Sequence, residues 1–227
     1  MKSLERYRSP SDLPAQLPVF PLRGVIVLPH TSLPLNIFEP RYLTLIDDVL
    51  RGDRLIGMIQ PVGEGGATGS PTERAAPLQA IGCAARLVAF QEQADGRILV
   101  TLAGVCRFDV RGEVATDDPY RTLEVSYGRF GLDLGLLSGG EDVPRAELLA
   151  VLRRYLDARN LKADWEAIEK SGDEELVNGL ALAGPFASSE KQALLEAVTV
   201  AERARALIAL AEIELAGGAA KPGPRLQ

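Results

Sequence analysis

The 227 residues suffice for one large domain or two small ones, and 46% hydrophobic with 25% charged residues excludes the composition of a disordered chain. The formal net charge of −6, with no clustering of basic residues, makes a nucleic-acid backbone an unfavourable partner. No apolar run reaches the roughly 18 residues of a membrane span and no signal-like segment follows the N-terminus, so we expect a cytoplasmic protein without membrane attachment.

The start of the chain predicts an arm, a strand and a helix in that order. Residues 1–16 are polar and interrupted by prolines, which predicts an N-terminal arm without a regular element. Residues 19–28 are mostly apolar and rich in valine and isoleucine, which predicts a strand buried on both faces. Extended structure is expected again over residues 35–38, before an amphipathic helix at about 39–51. The apolar face of that helix comprises Tyr42, Leu45, Ile46 and Val49.

The middle of the chain predicts an antiparallel meander or a small barrel, within a lobe that extends over residues 17–130. A glycine-rich stretch at 63–71 predicts a flexible surface loop, because it lacks the spacing and the lysine of a phosphate-binding loop. Gly104 is expected in a tight turn or a bulge between two strands. The predicted strands are 55–60, 81–90, 97–103, 105–111 and 121–127.

Alternation over residues 105–111 predicts one apolar face and one polar face. The side expected to face the core comprises Cys106, Phe108 and Val110. The side expected to face solvent comprises Arg107, Asp109 and Arg111.

Helices are predicted after the barrel lobe. Residues 131–143 are rich in glycine and lack a firm period, which predicts a linker. Residues 144–216 repeat apolar side chains at helical spacing and predict a helical lobe, whereas residues 217–227 predict a disordered tail. Two pairs at capping-box spacing, Ser189 with Gln192 and Thr199 with Glu202, mark helix starts in this lobe. The predicted fold class is therefore α+β.

No catalytic or metal-binding pattern accompanies these elements. His30 is the only histidine, which excludes a histidine-rich metal site, and no nucleophile motif accompanies it. Ser188 and Lys191 form an S-x-x-K pair, but their position at a helix start favours capping over acyl transfer. The two cysteines, Cys83 and Cys106, lack the spacing of a zinc or redox motif and are expected to be buried thiols. We therefore expect no enzymatic activity, no cofactor and no metal.

Short motifs in the first half resemble one known family. They are FPL at residues 20–22, Leu28-Pro29, Pro34-Leu35 and IFEPRY at residues 37–42, followed by IGCA at 81–84, the Asp95-Gly96 turn and LAGV at 102–105. Together they resemble the N-terminal, substrate-binding domain of Lon proteases, and most of all the bacterial stand-alone proteins of that family. His30 departs from the pattern, because family members commonly have glycine after this proline and a left-handed turn is costlier for histidine.

The resemblance implies a PUA-like pseudo-β-barrel followed by a C-terminal helical bundle. It also implies a non-catalytic module that binds unfolded or tagged polypeptide, a protein partner or a small ligand in a groove beside the barrel. Peptide could add as a strand to a sheet edge or place apolar side chains in the groove. No P-loop and no convincing catalytic dyad accompany the motifs, so a peptidase label would be unsupported.

Five polar or aromatic residues around the motif of residues 37–42 are the candidate binding residues: Arg23, Asn36, Glu39, Arg41 and Tyr42. The structural alternative is that Glu39 and Arg41 brace the helix start, that Asn36 completes a turn and that Tyr42 belongs to the core. Two other function classes stay open. One is a PUA-like nucleic-acid-binding module, which the acidic balance disfavours. The other is a hydrolase that uses Ser188, Lys191 or His30.

Overall fold

A computed structural model describes residues 7–63, 76–135 and 142–218. The predicted glycine-rich loop from residue 64 onwards, part of the predicted linker and the tail after residue 218 lie outside these ranges. The strands are β1 (Gln16–Pro21), β2 (Ser32–Ile37), β3 (Leu55–Ile59), β4 (Ile81–Glu92), β5 (Ile98–Val114) and β6 (Arg121–Ser126). The helices are α1 (Pro40–Arg51), α2 (Arg145–Ala158), α3 (Trp165–Lys170), α4 (Asp173–Ala183), α5 (Ser188–Glu196) and α6 (Val200–Gly218), with 3₁₀ helices at Pro10–Asp12 and Gly128–Leu134.

The strands form one sheet that closes on itself. Their order is β2-β5-β4-β3-β1-β6, and β6 also pairs with β5, so that five strands complete a ring and β2 stands outside it. Only the β1–β3 pair is parallel among the strand pairs described. β5 belongs both to the closed ring and to the pair with β2 outside it, because its first half pairs with β2 and its second half pairs with β6. The predicted α+β fold with a pseudo-barrel before the C-terminal helices is confirmed.

Two strand limits differ from the prediction. The strand expected over residues 19–28 ends at Pro21, and Gly24 then turns the chain with a positive φ of 71°. The two strands expected at 97–103 and 105–111 are one strand, β5, and Gly104 lies inside it. A register shift against β4 occurs at this point, so the bulge that was expected at Gly104 is present and the turn is not.

The arm and the first helix contribute to the core of the barrel. Tyr7 and Leu13 are buried, although the sequence of the arm predicted no apolar face. All four apolar residues predicted for α1 are buried, and the helix ends at Arg51, the predicted limit, with Gly52 as its cap. Glu39 is the residue before the first turn, and its carbonyl accepts the N–H groups of Tyr42 and Leu43. The amphipathic period therefore predicted both the helix and its buried face correctly.

The described residues cluster into two compact units. The first contains the arm, the barrel and residues Phe186–Leu195, and the second contains residues 142–185 and the chain from Glu196 onwards. The sequence predicted one uninterrupted helical lobe over residues 144–216, whereas most of α5 belongs to the barrel unit. The physical reason lies in its side chains, because Leu194 and Leu195 are buried and the amide of Gln192 donates to the carbonyl of Ile81 at 3.1 Å.

The expectation that Arg107 faces solvent is wrong. Arg107 is 3% exposed, and its guanidinium pairs with Asp133 at a distance of 2.7 Å between Nη2 and Oδ1. Asp133 belongs to the 3₁₀ helix at Gly128–Leu134, which covers the face of β5 that alternation assigned to water. The guanidinium also lies over the ring of Phe130, 4.5 Å from its centre.

The second unit has its own buried polar contact. Arg203 in α6 is 2% exposed and donates to the amide oxygen of Asn178 in α4 at 2.7 Å. The predicted capping box of Thr199 and Glu202 is present at the start of α6, with reciprocal bonds of 3.3 and 3.1 Å. No described helix is long and apolar enough to cross a membrane.

Candidate functional site

Tyr42 occupies the core beneath the motif of residues 37–42. Its ring is 3% exposed and stacks on Phe20, with ring centres 4.0 Å apart. Its hydroxyl donates to the carbonyl of Pro21 at 3.4 Å, which is long for such a bond. The residue therefore joins the first turn of α1 to β1.

Glu39 and Arg41 form an ion pair over this ring. The distance between Arg41 Nη2 and Glu39 Oε2 is 3.0 Å, and the two side chains are 12% and 19% exposed. The guanidinium carbon of Arg41 lies 4.3 Å from the centre of the Tyr42 ring. These three candidate residues are thus brought together, and they fix the entry into α1.

Arg23 lies apart from this cluster. Its guanidinium donates to the carbonyl of Gly63, the last residue described before the stretch of residues 64–75. The neighbouring Gly24 donates its N–H to the side-chain oxygen of Gln60 at 2.8 Å. Arg23 therefore holds the turn after β1 against the end of the segment that follows β3.

Asn36 is the candidate that lies on an open surface. It is exposed in β2, directly opposite Leu99 of β5. Here β2 pairs with residues 98–103 of β5, which in turn pair with residues 86–92 of β4, where β4 pairs with β3 only up to Arg86. We call these three strand segments the outer sheet segment.

The β5 strand of the outer sheet segment has one buried face and one exposed face, whereas residues 88–92 of β4 are exposed on both faces. Val100 and Leu102 are 1% exposed and face the core, and alternation places their neighbour Leu99 on the other side with Asn36. We call the side that carries Asn36 and Leu99 the outer face. Leu99 is 42% exposed on this face, and Phe38, 62% exposed, follows the end of β2 directly.

Neither Leu99 nor Phe38 was among the binding residues predicted from the sequence. A signal for Leu99 was present, because residues 98–100 are all apolar and one of any two neighbours in a strand must face away from the core. Phe38 was part of the family-like motif, but its exposure depends on where β2 ends, which the sequence alone did not fix.

The residues considered for catalysis have structural partners. His30 is exposed with a positive φ of 62°, as the departure from glycine suggested, and its Nε2 atom donates to the carbonyl of Asp133 at 3.0 Å. The backbone carbonyl of Ser188 accepts the Gln60 amide at 3.0 Å, and burial lowers the pKa of Lys191. No group of three or more histidine, cysteine or acidic residues that could hold a metal occurs in the described ranges.

A shallow cleft lies beside the barrel at the opposite end of α1. It has a volume of about 220 Å³ and is lined by the start of β1 and by Asp48, Asp53 and Tyr120, among others, but by none of the five candidate residues. The hydroxyl of Tyr120 donates to Asp48 at 3.0 Å. Burial and this hydrogen bond raise the pKa of Tyr120 to about 12. The phenol therefore stays neutral at physiological pH and keeps its hydrogen bond to Asp48.

Comparisons with known proteins agree on one family. The model of the ATP-dependent protease La (LON) substrate-binding domain matches residues 16–212. Lon protease 2 of Thermus thermophilus is 26% identical over 216 residues, which cover 90% of this chain and 25% of that protein. The chain spans about a quarter or less of the length of the first curated relatives that it matches.

Two solved structures share the fold. A Lon N-terminal domain protein from Xanthomonas campestris superposes with a TM-score of 0.58 and 23% identity, covering 86% of this chain and 97% of that one. The N-terminal domain of a Mycobacterium avium complex Lon protease gives a TM-score of 0.60 and 19% identity, with coverage of 87% and 98%. At these identities the likeness concerns the fold.

Proposed function

This chain belongs to the ATP-dependent protease La (LON) substrate-binding domain family, and on that premise we propose that it binds polypeptide through the outer face of its barrel unit. The proposed role is that of a non-catalytic module. The family model describes a domain that binds the substrates of a protease, and the substrates of a protease are polypeptides. No catalytic step is assigned to this chain.

One observation carries the location of the site. Leu99 is exposed to 42% near the start of β5, directly opposite Asn36 of β2, and Phe38 is exposed just after the end of β2. Single exposed apolar residues are common on protein surfaces, but apolar side chains grouped around a polar one are typical of a binding surface. An unfolded polypeptide offers the apolar side chains that such a surface would cover.

The five candidate residues then have different roles. Asn36 is proposed to contact the polypeptide, because it alone among them lies on the outer face. Glu39, Arg41 and Tyr42 are proposed as positioning residues that hold the start of α1, next to the exposed Phe38. Arg23 is proposed to position the turn after β1 through its bond to Gly63.

The composition of the outer sheet segment supports polypeptide over nucleic acid as the ligand. Glu92 and Arg86 are the charged residues in its three strand segments, and the Nη1 atom of Arg86 donates to the Tyr7 hydroxyl and to the carbonyl of Asp53 at 2.9 Å. A phosphate backbone would therefore find a single arginine that already has hydrogen-bond partners, whereas an apolar peptide would find apolar contacts.

The test compares two leucine variants. Leu99→Ser removes an apolar side chain from the outer face, and Leu132→Ser makes the same change at a residue of the barrel unit that is 84% exposed elsewhere. The probe is reduced, carbamidomethylated ribonuclease A, which stays unfolded and carries a net positive charge, and its affinity is measured by titration calorimetry. We expect Leu99→Ser to weaken binding by about threefold to tenfold and Leu132→Ser to leave it unchanged.

Two results would contradict the proposal. If the unchanged protein does not bind the unfolded probe, the polypeptide-binding function is wrong. If both leucine variants bind equally, the outer face is not the site. A single-stranded RNA that binds with a steep salt dependence would instead support the nucleic-acid alternative.

A further inference from the structure

The outer edge of β2 is a second surface of the barrel unit that suits a polypeptide. Within the described residues β2 pairs with β5 and with no other strand, so one side of its backbone is an unpaired sheet edge. Edges of this kind can accept another strand unless charges, prolines or bulges blunt them. β2 contains Pro34 but no charged residue.

The register shows which backbone groups face outward. Gly104 donates its N–H to the carbonyl of Thr31 at 2.9 Å, and this bond fixes the phase of the antiparallel ladder. Bonded pairs then recur at every second residue, so Leu33, Leu35 and Ile37 bond to β5. Ser32, Pro34 and Asn36 direct their backbone groups away from β5. Pro34 fits this phase, because its missing N–H costs no bond in the ladder.

We propose that the outer edge of β2 binds an extended polypeptide as an added strand, anchored on the backbone of Asn36. This inference rests on the proposed function and specifies how the polypeptide binds. Asn36 offers both its N–H and its C=O, and Pro34 offers its C=O, so the incoming strand must donate an N–H opposite Pro34. The side chains of the added strand lie alternately on the outer face, beside Asn36, and on the opposite face, beside the half-buried Leu33 and Leu35.

The same geometry disfavours a second copy of this chain as the occupant. In the antiparallel pairing that engages all three outward residues of β2, Pro34 would face Pro34 of the other copy. Neither proline could then donate an N–H, and both central carbonyls would stay unpaired. The formal net charge of −6 on each copy also opposes self-association.

The charge of this chain restricts the class of polypeptide that the edge of β2 can bind. The outer sheet segment carries Glu92 and Arg86, the latter hydrogen-bonded to Tyr7 and Asp53, and the whole chain is acidic. An acidic segment would be repelled, whereas a neutral or basic segment with apolar residues at alternate positions complements both the edge and the charge. The expected ligand is therefore an apolar, non-acidic segment in extended conformation.

The decisive experiment compares Asn36→Pro with Asn36→Ala. Proline removes the outward N–H and leaves the ladder to β5 intact, whereas alanine removes the side chain and keeps the N–H. With reduced, carbamidomethylated ribonuclease A, a basic unfolded chain, as the probe, we expect Asn36→Pro to weaken binding about tenfold or more and Asn36→Ala to weaken it by about threefold or less. Far-ultraviolet circular dichroism and the urea midpoint establish that both variants fold.

The outcomes separate this inference from the proposed function. If the unchanged protein binds the probe and Asn36→Pro binds equally well, strand addition is wrong while polypeptide binding stands. Absence of binding by the unchanged protein overturns both. If Asn36→Pro does not fold, amide exchange of Asn36 in the unchanged protein decides, because strand addition must slow it when the probe is bound. A dimer that Asn36→Pro converts to a monomer would assign the edge to a second copy.

Discussion

Arg107 connects three segments of the barrel unit through one side chain. Its backbone N–H and its Nε atom each donate to Asp133 Oδ2 at 2.9 Å, and its Nη1 atom donates to the carbonyl of Leu195 at 3.1 Å. β5, the 3₁₀ helix at Gly128–Leu134 and α5 therefore meet at this guanidinium. A buried ion pair adds little stability over apolar packing, but removal of one partner leaves an uncompensated charge.

We expect Asp133→Ala to lower the free energy of unfolding by about 3–5 kcal/mol, because the Arg107 guanidinium would stay buried without its carboxylate. Asp109→Ala is the matched control. Asp109 lies on the same strand and faces Arg129 at 3.6 Å, in a pair whose side chains are 21% and 48% exposed. Loss of this surface pair should lower the free energy of unfolding by less than about 1 kcal/mol. Urea denaturation measures both, and equal losses would contradict a special role for the buried pair.

The sequence could not predict this contact for a specific reason. Alternation correctly placed Cys106 and Phe108 in the core, and it placed Arg107 on the opposite face of the strand. That face is covered by a segment 26 residues further along the chain, in a stretch without helical or strand periodicity. A period describes the two faces of one element, but it does not say whether a distant segment covers the second face.

At the scale of elements, the close approach of two backbones explains why β5 is one strand. A Cβ atom at Gly104 would lie 1.9 Å from the carbonyl oxygen of Leu28, so that only glycine fits where the segment before β2 crosses β5. The glycine was correctly expected to mark a bulge. It was also taken to separate two strands, because a tight turn and a close crossing require the same residue.

Two glycine-to-alanine variants test this crossing. Gly104→Ala must displace the backbone at Leu28, and we expect a loss of about 2–4 kcal/mol in the free energy of unfolding. Gly179→Ala is the opposite case, because Gly179 lies within α4 with no neighbouring atom within 4 Å of an added Cβ. There the higher helix propensity of alanine should stabilise the protein by about 0.5–1 kcal/mol. Thermal unfolding measures both shifts, and a neutral Gly104→Ala would refute the close approach.

The helices show which elements sequence patterns can predict. α1 has a strong apolar period, a proline in its first turn and a glycine after its end, and all of its limits were predicted within a residue or two. α5 also has helical spacing, but the period alone does not say with which unit a helix packs. Gln192, expected to cap this helix, instead bonds to Gln60 at 3.1 Å in the barrel unit. A side-chain amide can serve either purpose, and capping-box spacing alone does not distinguish them.

At the scale of the whole molecule, the chain leaves the barrel unit, forms most of the second unit, returns as α5 and leaves again. Each unit has its own buried polar network. In the first, Gln192 accepts from Gln60 and donates to the carbonyl of Ile81. In the second, Arg203 donates to Asn178 and to the carbonyl of Ala197. A substitution that breaks one network should therefore lower the protection from hydrogen exchange first in the unit that contains it.

Hydrogen exchange followed by mass spectrometry resolves the two units in the intact chain. Gln192→Ala removes one of the two acceptors of the Gln60 amide and the side-chain donor to the Ile81 carbonyl, and a buried polar group left unsatisfied costs about 1–3 kcal/mol. Exchange of amides in β3 and β4 should accelerate about tenfold or more, with a smaller change in α2 and α6. Asn178→Ala is the reciprocal variant and should accelerate α4 and α6 more than the strands. If either variant accelerates exchange equally in both units, the two units unfold as one cooperative structure. In that case α5 couples the stability of one unit to that of the other.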